Sequence, residues 1–207
     1  MNKIQYILLL FPMVILGQKD IKVGDDIILW EKGVFLQPED FRIIKEVDPY
    51  DTRNGLTTYK IEILPKEVLV DENNQIANFL KMNLATYFYK NKSWLGKKND
   101  KQLLAHEQNH FNIGELFARK MRKAFEELKE KKIKDFNAYQ NVYTTYWKEC
   151  KAYQRKYDQE TFNGTLAESS SDWLLKVDQE LYELEEYSYA KVKQRWRAKL
   201  KKLSSGS

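Results

Sequence analysis

His106 and His110 are the only histidines in the 207-residue chain, and they stand four apart in the run His106-Glu107-Gln108-Asn109-His110. The run reads H-E-x-x-H, the pattern of a zinc site built on one helix. Helical residues four apart are separated by about 40° around the axis, so both imidazoles can point at one ion. Glu107, one step further round, reaches the rim of such a site rather than the metal. In sites of this type the ion lowers the pKa of its water to about 7 and polarises the scissile carbonyl. The glutamate takes the proton as general base and hands it to the leaving amine. The expected chemistry is therefore peptide or other amide hydrolysis, with Glu107 catalytic and His106 and His110 as Zn2+ ligands.

A catalytic zinc needs a third protein ligand. With no third histidine, a carboxylate is the expected donor, ahead of an amide, a tyrosine or the thiol. Glu115 is close in sequence but lies nine residues past His106, about 180° around the same helix, and should face away. Glu115 and Arg119, one turn apart, are expected to pair on the helix surface or behind the site. The better segment is Tyr157 to Gly164, where a second helix ends. Antiparallel return of that helix would bring the segment beside His106. Asp158 is the first choice for third metal ligand and Glu160 the second.

These residues need elements to hold them. Asn99 or Asp100 is a good N-cap for a helix running to about Lys131. Leu103, His106, His110, Ile113, Phe117, Met121, Ala124 and Leu128 follow at steps of three or four, so both histidines lie on its buried stripe. A second helix is expected from about Asp135 to Tyr157, with an aromatic seam at Phe136, Tyr139, Tyr143, Tyr146, Trp147, Tyr153 and Tyr157 that serves packing. A third should run from about Ser171 to Leu203, its apolar period weakening towards a basic end. Residues 18–98 read as β-rich. Ile27 to Trp30 is a short strand, Thr57 to Leu64 alternates, a long strand is expected from Ile76 to Tyr89, and residues 49–55 read as a turn. The expected fold is α+β, a β-rich N-terminal region packed against long helices with a zincin-like H-E-x-x-H helix at the junction. The expected organisation is a signal peptide at 1–17, the β-rich region at 18–98, the helical region at 99–203 and a disordered tail at 204–207.

Hydrophobic residues make up 43% of the chain and aromatics 14%, enough for a core. The net charge of +5 comes from 35 basic against 30 acidic residues, a mixture expected of solvated helix faces rather than of a nucleic-acid binder. Lys3, the apolar run Ile7 to Leu16 and Gly17 read as a secretory signal, too short for a comfortable membrane span. The expected mature protein is exported to the periplasm or the extracellular space, with no integral membrane span. Cys150 is the single cysteine, so no intramolecular disulfide is possible. It falls in the aromatic seam and is expected to be a buried small hydrophobe.

At these residues the chain resembles the family of predicted zinc-dependent bacterial peptidases known as domain of unknown function 922. The resemblance rests on Ile28-Leu29-Trp30, Asp40-Phe41 and Lys92-Ser93-Trp94, then on Leu103-Leu104-Ala105-His106-Glu107-Gln108-Asn109-His110-Phe111-Asn112-Ile113 with Glu115 and Ala118-Arg119. It ends on Tyr157-Asp158-x-Glu160-Thr161-x-Asn163-Gly164. It implies a secreted zincin-type peptidase with His106 and His110 as ligands, Glu107 as the catalytic acid and a peptide or protein as substrate. Asn163 stands where the family usually has a histidine, so the resemblance implies either weaker zinc there or Asp158 as the residue that completes the metal site. The alternative is a non-catalytic envelope binding protein that keeps the fold with a degenerate metal site.

Overall fold

The computed structural model describes residues 26–43, 54–97 and 100–205. The signal segment at 1–17 and most of the turn at 49–55 lie outside them. The described strands are β1 (Ile27–Leu29), β2 (Arg42–Ile43), β3 (Gly55–Leu56), β4 (Tyr59–Leu64), β5 (Asn83–Tyr89) and β6 (Trp94–Leu95). Four helices follow: α1 (Lys101–Glu130), α2 (Phe136–Thr161), α3 (Ala167–Glu183) and α4 (Tyr189–Ser205). The fold is α+β, with its sheets in the N-terminal half and its helices in the C-terminal half.

Two small sheets form. In the first, β5 lies between β1 and β4 and pairs antiparallel with both, Ile28 opposite Phe88 and Ile61 opposite Thr86. In the second, β6 lies between β2, which is parallel to it, and β3, which is antiparallel. One face of β5, carrying Leu84, Thr86 and Phe88, is completely buried, as the alternation there predicts. The long strand expected from Ile76 is shorter than that. Ile76 bridges Val70 and donates its N–H to the Lys134 carbonyl, and Phe79–Lys81 forms a single 3-10 turn before β5 begins. Pairing with two other segments, rather than local pattern, sets that start.

Helix α1 is the centre of the molecule. Asp100 caps it, accepting from the Leu103 N–H at 2.9 Å. The helix packs against β4 and β5 and against α2 and α3. Between Phe111 and Arg122 only Asn112 and Lys120 are not fully buried, so the helix is covered on all sides there. One face joins Ile113, Phe117 and Met121 to Ile61, Leu84, Tyr157 and Trp173 in the main core. Phe111 and Leu103 join a second cluster with Leu36, Phe41, Phe88 and Leu95.

The polar side of α1 is buried as well. Glu115 and Arg119 pair at 3.1 Å, but both are 1% exposed, so the pair belongs to the interior and not to the helix surface. Arg122 bonds both Glu115 oxygens, at 2.9 and 2.8 Å, and Thr86 donates to Oε2 at 2.9 Å. The arginines then reach out to backbone carbonyls, Arg119 to Leu181, Arg122 to Leu84 and Tyr187. These contacts explain why the single helix expected from Ser171 to Leu203 is two helices. The chain breaks at Leu184 to Ser188, with a 3-10 turn at Glu185–Tyr187. The carbonyls around the break are taken by the buried guanidinium groups, and Arg119 also holds Glu185 at 3.0 Å. Helix α4 continues through Ser205, into the stretch expected to be disordered.

Candidate metal centre

Helices α1 and α2 run side by side, and the end of α2 returns to the start of α1. The expected C-terminus of α2 at Tyr157 falls one turn short. The helix continues to Thr161 and closes on Phe162 in the left-handed conformation, φ 50°. Asp158 is therefore a residue of the last helical turn, held in register with the residues before it, rather than part of a loop.

This arrangement brings Asp158 to the two histidines. Asp158 Oδ1 lies 2.9 Å from His110 Nε2 and 3.3 Å from His106 Nε2, and the two Nε2 atoms are 3.1 Å apart. His106 is 4% exposed, its ring stacked on Tyr157 at 4.6 Å between centroids. Gly164, at φ +80°, packs close against the same side chain, where a Cβ would come 2.7 Å from His106 Cγ. Only glycine permits that approach. Gln102 fastens the same turn by donating to the Gly164 carbonyl at 2.7 Å.

Glu107 sits beside this triangle, 2% exposed. Its Oε2 has no hydrogen-bond partner among the described residues. Strand β3 passes so close that a Cβ on Gly55 would meet Glu107 Oε1 at 2.5 Å. Thr57 donates to the Glu107 carbonyl at 3.0 Å and ties β3's exit to α1. Together Asn54, Gly55, Leu56, Thr57, Tyr59, His106, Glu107, His110, Gln154, Asp158 and Asn163 line a cleft of about 220 Å³.

The electrostatics follow from these contacts. Burial works against a charged His110, but the hydrogen bond to Asp158, the charges of Glu107 and Asp158 and the contact with Gln154 outweigh it and raise its pKa to about 9. Burial also disfavours the Asp158 carboxylate, and the bonds from His106 and His110 overcome this and hold it well below the usual carboxylate range. Cys150 is fully buried and is not part of the group. Burial pushes its thiol up to about 11.

His106, His110 and Asp158 offer two imidazole nitrogens and a carboxylate oxygen as a set that could hold a metal ion. In a tetrahedral zinc site the donors stand about 3.3 Å from one another, given metal–donor bonds of about 2.0–2.1 Å. The three distances here, 2.9 to 3.3 Å, fit one face of that tetrahedron. Glu160 is elsewhere. It accepts from Trp173 Nε1 at 2.9 Å and faces Lys156 at 3.6 Å. Asn163 lines the cleft, with φ 52°. Glu115 faces away from it, into the arginine pair.

Residues 90–164 match the model of a family described as "Bacterial protein of unknown function (DUF922)". The match spans β6, α1, α2 and the turn at Gly164. Every histidine and carboxylate of the triangle falls within it, as do Glu107, Gln154 and Asn163. Strands β1 to β5 and helices α3 and α4 lie outside the match, which is shorter than the stretch from Ile28 to Gly164 over which the sequence motifs run. No curated protein and no solved structure matches the chain.

Sequence reasoning passed over Gln154 and Tyr59. Gln154 stands four residues before Asp158, one helical turn, so the two share a face once α2 is carried to Thr161. That spacing was the available signal. Tyr59 carries no such signal. Its strand alternation marks it as inward, not as part of a site.

Proposed function

We propose that the protein is a secreted zinc-dependent metallopeptidase, in which His106, His110 and Asp158 hold the metal and Glu107 is the general base. One observation carries the reading. A buried glutamate with an unpartnered oxygen opens onto the same cleft as a compact His-His-Asp triangle. An unpaired buried carboxylate oxygen is costly, of order 1–3 kcal/mol, and is reasonable where a ligand in the cleft supplies its partner. A zinc ion, when bound, supplies Lewis acidity that polarises a carbonyl and acidifies a water. Glu107 Oε2 accepts a proton from water and returns it to the leaving nitrogen. Gly55 and Thr57 keep the glutamate at the cleft wall, and the stacked Tyr157 ring and the close Gly164 backbone confine the His106 ring. Export rests on the signal-like residues 1–17.

A second reading has its own observation. The His110–Asp158 contact satisfies both groups without a metal, as in a non-catalytic envelope protein that has kept the fold.

Elemental mass spectrometry on residues 18–207, with a peptide-cleavage assay, separates the two. The expected result is about one zinc per chain, lost in Asp158→Ala, with cleavage that a chelator blocks. Glu107→Gln should retain zinc and lose turnover by at least about 100-fold. Zinc absent from the native chain but present in Asn163→His would favour the second reading.

A further inference from the structure

We infer that α4 is a docking surface for an anionic lipid bilayer, lying along the membrane plane with its cations against the phosphate headgroups. The inference is independent of the metal centre and rests first on how the chain distributes its charge. Seven of the 35 basic residues fall in α4 and none of the 30 acidic residues does, so the rest of the chain carries 28 basic against 30 acidic. The excess positive charge of the protein is therefore the charge of one 17-residue helix.

The fold holds that helix by one side. Val192 is 2% exposed and Trp196, one turn on, is half-buried, where α4 packs against β5 and the Glu185–Tyr187 turn. This fixes where the other sides face. At about 100° per residue, Ala190, Gln194 and Ala198 lie opposite Val192 and Trp196, and all three are exposed. The outermost strip is thus small and uncharged. A row of cations flanks it on each side, Lys193 and Arg197 on one, Lys191 and Arg195 on the other. No acidic residue interrupts either row. Small residues between two rows of long cations let the backbone approach a plane of phosphates while the flanking side chains reach out to it.

The chain itself does not neutralise these charges. Lys191 and Arg195 share one carboxylate, Glu186, at 2.7 and 3.4 Å, and Glu186 is 69% exposed. Such contacts in water are weak and give way to a denser array of anions. Arg197 and Lys199 make no ion pair among the described residues. Near the end of α1, burial lowers the pKa of Lys129, its pairing with Glu126 opposes this, and Lys199 and Arg195 push it down further, so like charges crowd here. A bilayer suits this surface better than a nucleic acid does. The outer strip offers no aromatic ring on which a base would stack, and a chain exported through the signal-like residues 1–17 meets anionic headgroups at the membrane it crosses.

The test is co-sedimentation of the full chain with vesicles of phosphatidylcholine alone and of equimolar phosphatidylcholine and phosphatidylglycerol. The ratio of the two partition coefficients is read, so that any contribution of the apolar run at 7–16 cancels. One variant joins Lys193→Glu, Arg197→Glu and Lys199→Glu in α4. A control of the same net charge joins Lys66→Glu, Lys81→Glu and Lys148→Glu, all at exposed positions elsewhere. Wild type and control should favour the anionic vesicles, and the preference should fall at least about tenfold between about 0.05 and 0.5 M salt. The α4 variant should lose about 100-fold or more of that preference. Equal partition of wild type into both vesicles overturns the inference, as does a control that loses as much as the α4 variant. Wild type that leaves the anionic vesicles for a double-stranded DNA fragment, with the α4 variant binding neither, assigns the surface to nucleic acid and also overturns it. Should the α4 variant not fold, the lipid preference of wild type and control decides.

Discussion

His110 and Asp158 set the acid–base behaviour of the cleft at the scale of single residues. In the metal-free protein they form an ion pair, which raises the His110 pKa from its usual 6.5 to about 9 and lowers that of Asp158. The stabilisation from His110 is fully present below pH 6.5 and is lost as the pH climbs to about 9. That from Asp158 is present above its ordinary value of 3.8 and fades as the pH falls towards its depressed one. A metal at Nε2 must displace the His110 proton, so zinc affinity should rise with pH and level off above about 9. Calorimetry at pH 7.5 in two buffers of different ionisation enthalpy should find about one proton released per zinc. A pH-independent affinity between 6.5 and 9 would contradict this pairing.

At the scale of elements, α1 depends on a buried charge cluster rather than on an apolar stripe alone. Glu115 is the common partner of Arg119 and Arg122, and all three are at most 1% exposed. Removing one member of such a cluster leaves its partners charged and buried, which costs about 3–5 kcal/mol. Glu115→Ala should lower the urea-unfolding free energy by about that amount, and it should loosen the Leu184–Ser188 break that Arg119 and Arg122 hold. A loss below about 1 kcal/mol would show that solvent reaches the arginines. The turn after α2 makes a separate prediction. Ala at Gly164 would meet both the positive φ and the His106 ring. Gly164→Ala should cost roughly 1–2 kcal/mol from backbone strain and also weaken zinc, because His106 must move. Retained zinc affinity would show that the turn yields instead of the ring.

At the scale of the whole molecule, the candidate metal centre joins α1 to α2, and β3 and β4 close its cleft, so a metal bound there should stabilise the fold. Zinc at about 1,000 times its dissociation constant should add about 4 kcal/mol and raise Tm, an effect that Asp158→Ala should remove. No described helix is long and apolar enough to cross a membrane. Much of this organisation was legible in the sequence. A capping residue at Asn99 or Asp100 and the period of three or four defined α1, and the H-E-x-x-H spacing put both histidines on one of its faces. These are local properties, decided within a few helical turns by the geometry of the backbone. The antiparallel return of α2 pointed to Asp158, although the helix end was misjudged because Asp158 to Thr161 are polar and resemble a loop. What the sequence could not decide depended on distant partners. The break between α3 and α4 contains no glycine or proline, and it exists because arginines two helices away take its carbonyls. Gln154 reads as one more polar helix residue until Tyr59 and His110 are placed on either side of it. Hydrogen bonds between residues 44 and 95 positions apart have no periodicity to reveal them, and only the packed structure brings them within reach.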